Sequence, residues 1–206
     1  MFAHARNFSA RQRIFQAGDP IGSVGILISG RVKMSQLSRS GTEVIVKVQT
    51  SGDVLSMPLA PGSKHFLTAQ ALDPCHLLTW DARDFAALSQ QFPALQRNAI
   101  SILAGHLRML EQRFLELATE HAGIRLARTL VRLLEEARSD GPRDTPSSID
   151  LSPDELARMI GTTVFTVTRL LCDWQSRGII QNQHENVTIN DHSGLVKLAE
   201  NTEHFT

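Results

Sequence analysis

Short stretches of apolar residues alternate with turn signals through the first part of the chain. The stretches 24–28 and 44–48 are rich in β-branched side chains, which favour extended strands. Glycines at turn positions follow one another at spacings of 12, 11 and 11 residues: Gly18, Gly30, Gly41 and Gly52. Regular turns at this interval predict an antiparallel domain of short strands, arranged as a sandwich or a barrel.

A helical pattern replaces the strands after Asp81. Asp81 can cap a short helix over 82–90, and Pro93 then begins a longer one. Apolar residues recur along this longer helix at spacings of 3, 4, 3, 4 and 3: Ile100, Leu103, Leu107, Leu110, Phe114 and Leu117. This narrow seam with a 3.5-residue period predicts pairing with a second copy of the helix. The alternative is an amphipathic helix that lies on its own β domain.

The third part of the chain predicts a helix over 120–137 and a loop over 139–148, followed by two short helices and a hairpin. Ser152 precedes Pro153 and stands three residues before Glu155, which is the pattern of a helix start with a capping box. Gly161 fits a left-handed residue at the end of this helix. Thr162 or Thr163 then caps a second helix over 164–176.

This second helix has two faces of different character. One carries four apolar residues that predict a buried side: Val167, Leu170, Leu171 and Trp174. The opposite face presents Val164, Phe165, Thr168 and Arg169. Gly178 ends the helix, and the alternating stretches 179–181 and 187–189 predict a wing. Two capped helices joined by a glycine turn and followed by a wing predict a helix-turn-helix that enters a DNA major groove; the alternative is a helical pair that serves only as core.

The residue types suggest roles at such an interface. Arg169 can donate two hydrogen bonds to guanine O6 and N7. Val164 and Phe165 offer apolar surface to a thymine methyl group, and Thr168 lies beside them. Residues at the helix starts are expected to meet phosphates: Ser152, Thr163 and Thr166.

Composition narrows the classes of protein but does not support DNA binding by itself. The formal net charge is +0, and from residue 119 onward 9 Lys and Arg stand against 13 Asp and Glu, whereas DNA-binding domains are usually basic. No run of 18 apolar residues and no leader pattern is visible, so we expect a cytoplasmic protein without membrane contact. The two cysteines, Cys75 and Cys172, fall in different predicted domains and are expected to be reduced.

Taken together, these segments resemble the cAMP receptor protein/fumarate-nitrate regulator (Crp/Fnr) family of bacterial transcription factors. The resemblance runs from residue 14 onward and is carried by residues 15–19 (FQAGD), 28–32 (ISGRV), 51–53 (SGD) and 161–169 (GTTVFTVTR), with a gap-free match over 93–127. It implies an α+β protein: an antiparallel jelly-roll β-barrel like a cyclic-nucleotide-binding domain (1–91), a dimerisation helix (92–118) and a winged helix-turn-helix (119–206).

The resemblance also implies a homodimer on a palindromic site with half-sites about 34 Å apart. The loop 140–148 stands where relatives contact RNA polymerase, and we expect an activator, although the sequence does not distinguish activation from repression. Several positions depart from the family pattern. Ser56, Met57, His65 and Phe66 stand where relatives hold the cyclic nucleotide, and Glu111 stands where the long helix of the cAMP receptor contacts adenine. We therefore expect an effector pocket at these five positions, which does not accept cAMP because the phosphate-pairing arginine is absent. Relatives commonly carry a glutamate where Phe165 stands, so the preferred base beside the guanine is expected to differ.

Other functions find less support in the sequence. No cofactor is predicted: the family's N-terminal cysteine cluster for an iron–sulfur centre is absent, and haem stays open only through isolated histidines, His4, His65, His76, His106 and His121. Catalytic triads, phosphate-binding glycine loops and paired metal motifs are not found, so no enzyme is predicted. A sensor whose DNA binding depends on haem or another small ligand is the alternative function. The sequence does not identify the effector or the regulated genes.

Overall fold

The computed structural model describes residues 3–58, 60, 62–138, 148–183 and 186–200. The N-terminal part contains eight strands: β1 (His4–Phe8), β2 (Arg13–Phe15), β3 (Ser23–Ser29), β4 (Val32–Leu37), β5 (Glu43–Gln49), β6 (Val54–Ser56), β7 (Thr68–Ala71) and β8 (Cys75–Asp81). Three helices follow: α1 (Ala82–Gln91), α2 (Pro93–Thr119) and α3 (Ala122–Arg138). The remaining elements are β9 (Ser148–Ile149), α4 (Pro153–Ile160), α5 (Val164–Ser176), β10 (Ile180–Gln183), β11 (Asn186–Ile189) and α6 (His192–Glu200).

The eight N-terminal strands form two four-stranded antiparallel sheets, in the orders β1-β8-β3-β6 and β2-β7-β4-β5. Both sheets contribute to one apolar core. Leu27 and Leu77 enter it from the first sheet, and Val32, Met34 and Ala69 enter it from the second. The predicted jelly-roll domain is therefore confirmed, although its strands pair as two sheets rather than as one closed barrel.

A tight turn joins the two sheets between β3 and β4. The Nε atom of Arg31 in this turn lies 2.6 Å from a carboxylate oxygen of Asp73. The thiol of Cys75 is buried beneath it and donates to the carbonyl oxygen of Arg31 at 3.3 Å. Burial raises the pKa of Cys75 to about 11, so this thiol is protonated at neutral pH.

The chain divides into two compact units inside α2, 1–109 and 110–206. Helix boundaries agree with the sequence analysis to within two residues, but Asp81 does not act as predicted. It stands at the N-terminal end of α1 without a side-chain capping hydrogen bond. No helix in the described ranges is long and apolar enough to span a membrane.

The second unit places its helices around a separate core. Leu126 and Leu130 of α3, Leu156 of α4, Leu171 of α5 and Leu195 of α6 are all buried there. Helix α3 contacts α4, α5 and α6. Because α3 supports both helices of the predicted helix-turn-helix, it fixes the platform from which their exposed faces project.

Candidate nucleic-acid interface

The start of α4 is held by the predicted capping box. The Oγ atom of Ser152 accepts from the backbone N–H of Glu155 at 3.2 Å, and a Glu155 carboxylate oxygen accepts from the backbone N–H of Ser152 at 3.0 Å. The Ser152 hydroxyl also donates to that carboxylate at 3.0 Å. Both donors of Ser152 are thus used by Glu155, and a phosphate contact from Ser152 would have to break the capping box.

The turn between α4 and α5 has the glycine-dependent geometry expected from the sequence. Gly161 has φ +66° and ψ +50°, which is the left-handed conformation that ends many helices. Thr163, rather than Thr162, caps α5: its Oγ1 accepts from the backbone N–H of Thr166 at 3.2 Å. The two hydroxyls of Thr163 and Thr166 also lie 3.0 Å apart, so both predicted phosphate contacts belong to the exposed N-terminus of α5.

Helix α5 separates buried from exposed side chains as the sequence predicts. The inner face is fully packed: Val167, Leu170, Leu171 and Trp174 are 0–5% exposed. On the outer face Phe165 is 76% exposed and Val164 is 44% exposed, and Thr168 and Arg169 are exposed as well. The four predicted base-contacting side chains therefore share one solvent-facing surface, which we call the α5 face (Val164, Phe165, Thr168 and Arg169).

An arginine that sequence reasoning missed joins the platform to the turn. The Nε atom of Arg125 in α3 donates to the carbonyl oxygen of Ile160 at 3.1 Å. Ile160 is the last residue of α4, where backbone carbonyls lack a partner within the helix. Arg125 therefore helps to set the direction in which the chain enters the turn. Its position within a basic, amphipathic helix gave no sign of this role.

The wing is larger than the sequence indicates. Strands β10 and β11 pair antiparallel, with Ile180 opposite Ile189, and the short strand β9 pairs with β11. Ser148, which the sequence places in a loop, belongs to β9. The predicted wing tip at 184–185 lies outside the described residues, as does most of the loop over 140–148.

Helix α6 was not predicted. An Asp191 carboxylate oxygen accepts from the backbone N–H of Gly194 at 2.9 Å, which holds the first turn of the helix. Leu195, Leu198 and Ala199 are buried, and Arg128 of α3 donates to the carbonyl oxygen of Ala199 at 2.9 Å. An acidic residue followed by apolar positions at spacings of 3 and 1 is the signal that could have revealed it.

The predicted dimer seam on α2 is open to solvent. All six seam residues are 41–70% exposed: Ile100, Leu103, Leu107, Leu110, Phe114 and Leu117. Their exposure in the single chain is what a seam for a second copy requires, and the dimer stays a prediction. The helix face that does meet the β domain includes Ile102 and His106.

The N-terminal unit contains a cavity of about 250 Å³, and four of the five predicted effector-pocket residues line it: Ser56, Met57, His65 and Phe66. Glu111 is exposed and is not among the described residues that line this cavity. It follows the lining residue His106 by five positions, which turns its side chain about 140° around the helix axis. Glu111 falls in the second compact unit, and its place in an effector pocket stays a prediction.

The five candidate haem histidines differ in their surroundings. His4, His76 and His121 are exposed, whereas His65 and His106 line the cavity. The ring of His65 stacks on that of Phe15, with centroids 3.6 Å apart. Within the described ranges, no three His, Cys, Asp or Glu side chains are grouped to hold a metal ion.

Burial lowers the pKa of both cavity histidines. For His65 the nearby Asp19 carboxylate partly offsets this effect. For His106 the ammonium group of Lys47 lowers the pKa further, and Asp53 opposes both effects. The Nζ atom of Lys47 lies 3.2 Å from Nε2 of His106, and a neutral imidazole nitrogen accepts a hydrogen bond from an ammonium. Both rings are therefore uncharged at neutral pH.

Comparison with known proteins identifies the two parts of the chain. The family model of the cyclic nucleotide-binding domain matches residues 5–92, and that of the Crp-like helix-turn-helix domain matches residues 124–198. Together they account for most of the chain, in the order that the sequence analysis predicts. The second match includes α4, the turn at Gly161 and the α5 face.

Curated relatives match along nearly the whole chain. The anaerobic regulatory protein of Pasteurella multocida is 28% identical over 193 residues, which are 93% of this chain and 70% of that protein. The transcriptional activator protein anr of Pseudomonas aeruginosa is 27% identical, with 90% and 76% of the two chains covered. The fumarate and nitrate reduction regulatory protein of Escherichia coli is 25% identical, with 93% and 76% covered. These relatives are regulators of transcription and not enzymes.

Solved structures share the fold. FixK2 from Bradyrhizobium japonicum superposes with a TM-score of 0.82 at 21% identity, covering 96% of this chain and 98% of that one. The c-di-GMP responsive global regulator CLP from Xanthomonas campestris gives a TM-score of 0.75 at 22% identity, covering 91% and 93%. With both domain models matched in order and similar regulators along nearly its full length, the chain belongs to the Crp/Fnr family of helix-turn-helix transcription regulators.

Proposed function

We propose that this chain is a homodimeric regulator that binds a palindromic DNA site by placing α5 of each protomer in the major groove. The observation that carries the proposal is the α5 face. Its four side chains are exposed on a helix whose opposite side is completely buried. A helix that reads base edges needs a packed side that holds it in place. It also needs an exposed side with both polar and apolar groups that can contact the bases.

Within the α5 face we assign guanine recognition to Arg169. Its guanidinium can donate two parallel hydrogen bonds to O6 and N7 of guanine, the commonest specific contact to a base. Phe165 and Val164 leave apolar surface in water next to it. A thymine methyl group in the major groove would cover that surface, and Thr168 would meet the neighbouring base edge.

The phosphate contacts are assigned to the exposed start of α5. Thr163 and Thr166 share a hydrogen bond at this helix N-terminus, where backbone N–H groups and the helix dipole favour an anion. Ser152 occupies the corresponding place at the start of α4, and its contact would replace the hydrogen bonds to Glu155. Because the second part of the chain carries a net charge of −4, we expect DNA binding to depend on these local contacts rather than on a broad basic surface.

The dimer is assigned to the seam on α2. The seam consists of six large apolar side chains at alternating spacings of 3 and 4 residues, and they are 41–70% exposed. Exposure of such a surface to water is unfavourable, and a second copy of the helix would bury it. Two-fold symmetry would then present the two α5 helices to half-sites about 34 Å apart, one turn of the duplex. We further propose a cytoplasmic activator that contacts RNA polymerase through the loop over 140–148.

Under this proposal, cAMP is not the ligand that controls DNA binding. Ser56, Met57, His65 and Phe66 line the cavity, and no arginine among the described lining residues is present to pair with a cyclic phosphate. The cavity itself favours the second candidate function, in which DNA binding depends on haem or another small ligand.

Selection of binding sites from random duplex DNA tests the proposed function. The purified, ligand-free full chain is used at about physiological salt, because affinity for DNA depends steeply on salt. Enrichment of a palindrome with a guanine at matching positions of both half-sites is the expected result. If no sequence is enriched, with or without cell extract that supplies small molecules, the α5 face does not read DNA.

A further inference from the structure

The cavity of the N-terminal unit is mostly apolar. Its walls come from β4, β5 and β6, from the segment before β7, and from α2. Ten of the described lining residues have hydrocarbon or thioether side chains: Phe15, Ile21, Met34, Val54, Leu55, Met57, Phe66, Leu67, Ile102 and Leu103. A ligand that fills this space therefore needs an apolar body.

The charged side chains among the described lining residues are both lysines. Lys47 and Lys64 line the cavity, and they are two of the four lysines in the chain. No Asp, Glu or Arg is found among the described lining residues. Lys47 is positioned by His106, whose Nε2 lies 3.2 Å from its Nζ atom. Two ammonium groups over an apolar surface favour an anion with an apolar tail.

The volume of the cavity and its lysine side chains limit the kind of anion that can bind. A volume of about 250 Å³ is below the roughly 300–1,000 Å³ of pockets that hold drug-sized ligands, so a small ligand is expected. A lysine ammonium is a point charge that pairs with a carboxylate or a phosphate alike. A carboxylate is the smaller group of the two, so it leaves more of this small cavity to an apolar body.

We propose that this cavity binds a small monocarboxylate with an apolar body, its carboxylate between Lys47 and Lys64 and its body against Phe15, Met34 and Ile102. The inference rests on the proposed function and deepens it, because it names the chemical class of the effector. The cavity histidines strengthen the assignment. They are uncharged at neutral pH, since burial lowers the pKa of both, and the two lysines alone supply the positive charge.

The position of Leu103 connects this site with the long helix. Leu103 lines the cavity and is also a member of the exposed seam on α2, at 41% exposure. Its neighbours Ile102 and His106 complete the helical wall of the cavity. A ligand that packs against this wall changes the surroundings of a seam residue, which gives the carboxylate a direct route to the proposed dimer interface.

Isothermal titration of the full chain with straight-chain carboxylates, from acetate to octanoate, tests the proposal. The uncharged amides of the same chain lengths are the controls. We expect carboxylate affinity to rise with chain length until the cavity is filled. The amides should bind at least about tenfold more weakly, because each lacks the charge that the lysines meet.

Lysine variants locate the bound carboxylate. Lys47→Met and Lys64→Met should each weaken octanoate or hexanoate binding by about tenfold. Lys197→Met should leave it unchanged, because Lys197 is exposed on α6 of the other unit. Lys64 is exposed, so its variant is expected to fold even if Lys47→Met does not. Equal binding of amides, equal loss in Lys197→Met, or no binding of any carboxylate up to about 5 mM would overturn the proposal. None of these outcomes involves DNA, so site selection tests the proposed function separately.

Discussion

Glu116 and Arg132 form a buried ion pair between α2 and α3 at the edge of the helix-turn-helix unit. Nη1 of Arg132 lies 2.8 Å from one Glu116 carboxylate oxygen, and Nη2 lies 3.2 Å from the other. The side chain of Glu116 is only 5% exposed, while that of Arg132 is 27% exposed. Burial lowers the pKa of Arg113 and Arg132 lowers it further, whereas Glu136 and Glu116 oppose this effect. The carboxylate of Glu116 therefore favours the charge of both arginines.

Glu116→Gln should destabilise the helix-turn-helix unit. The substitution removes the carboxylate that pairs with Arg132 and favours the charge of Arg113, and we expect a loss of about 2 kcal/mol, below the 3–5 kcal/mol of fully buried pairs because Arg132 is partly exposed. Urea unfolding followed by the fluorescence of Trp174, in a Trp80→Phe background, measures this unit alone. The exposed pair of Asp173 with Arg177, at 3.4 Å, gives the control: Asp173→Asn should cost less than about 0.5 kcal/mol. Equal effects of the two substitutions would contradict the account.

Leu107→Glu should convert the proposed dimer into a monomer. Leu107 occupies the centre of the seam and is 57% exposed in the single chain, and a pair of carboxylates facing each other there would be both buried and repulsive. Leu115→Glu is the matched control, because Leu115 is 55% exposed on the same helix but lies outside the 3.5-residue seam. Sedimentation equilibrium should give twice the mass of one chain for the wild type and the control, and one chain for Leu107→Glu. A monomeric wild type, or a dimeric Leu107→Glu variant, would show that the seam on α2 is not the dimer interface.

Gly161→Ala should cost about 1 kcal/mol of stability in the second unit. The left-handed backbone at φ +66° disfavours any side chain with a Cβ, and a Cβ there would lie 3.2 Å from a methyl carbon of Leu117. Asparagine tolerates the left-handed conformation better than alanine does, so Gly161→Asn should lose less stability. The same Trp174 measurement applies. If asparagine is at least as harmful as alanine, the backbone conformation is not the cause.

The N-terminal unit should lose stability as the pH falls below about 6.5, and His106 should contribute to that loss. Burial lowers the pKa of His106 from its ordinary value of 6.5, so the unfolded chain takes up the proton more readily than the folded one. Its contribution is fully present above pH 6.5 and decreases as the pH falls toward the lowered pKa. Unfolding followed by Trp80, in a Trp174→Phe background, should show a shallower decline of the unfolding free energy between about pH 7 and about pH 5 in His106→Gln than in the wild type. An unchanged slope would show that His106 does not take part.

Local signals carried most of the helix-turn-helix prediction. The capping box at Ser152, the left-handed Gly161 and the buried face of α5 each depend on residues within a few positions of one another, so the sequence was sufficient to place them. The missed elements depend on distant partners. Strand β9 is two residues long and is defined by its pairing with β11, and α6 is held by packing against α3, including the bond from Arg128.

The same distinction applies to the candidate sites. The exposed surfaces, the α5 face and the seam, follow from helical periodicity and could be predicted residue by residue. The cavity could not, because its walls join segments that lie far apart in the chain, such as Phe15, Lys47 and His106. Four pocket positions came from the family resemblance, whereas Lys47 and Lys64, the charged groups on which the ligand proposal depends, had no local signal.

The measurement that tests the central claim most directly compares the DNA sequence preferences of the wild type, Arg169→Ala and Arg177→Ala. Arg169 lies on the α5 face, and Arg177 lies just beyond the end of the same helix, where its side chain is 51% exposed. The account predicts that Arg169→Ala loses about 1–3 kcal/mol of binding and its preference for guanine at one position of each half-site, while Arg177→Ala keeps the preference. If Arg169→Ala retains both the affinity and the guanine preference of the wild type, α5 does not read DNA as proposed.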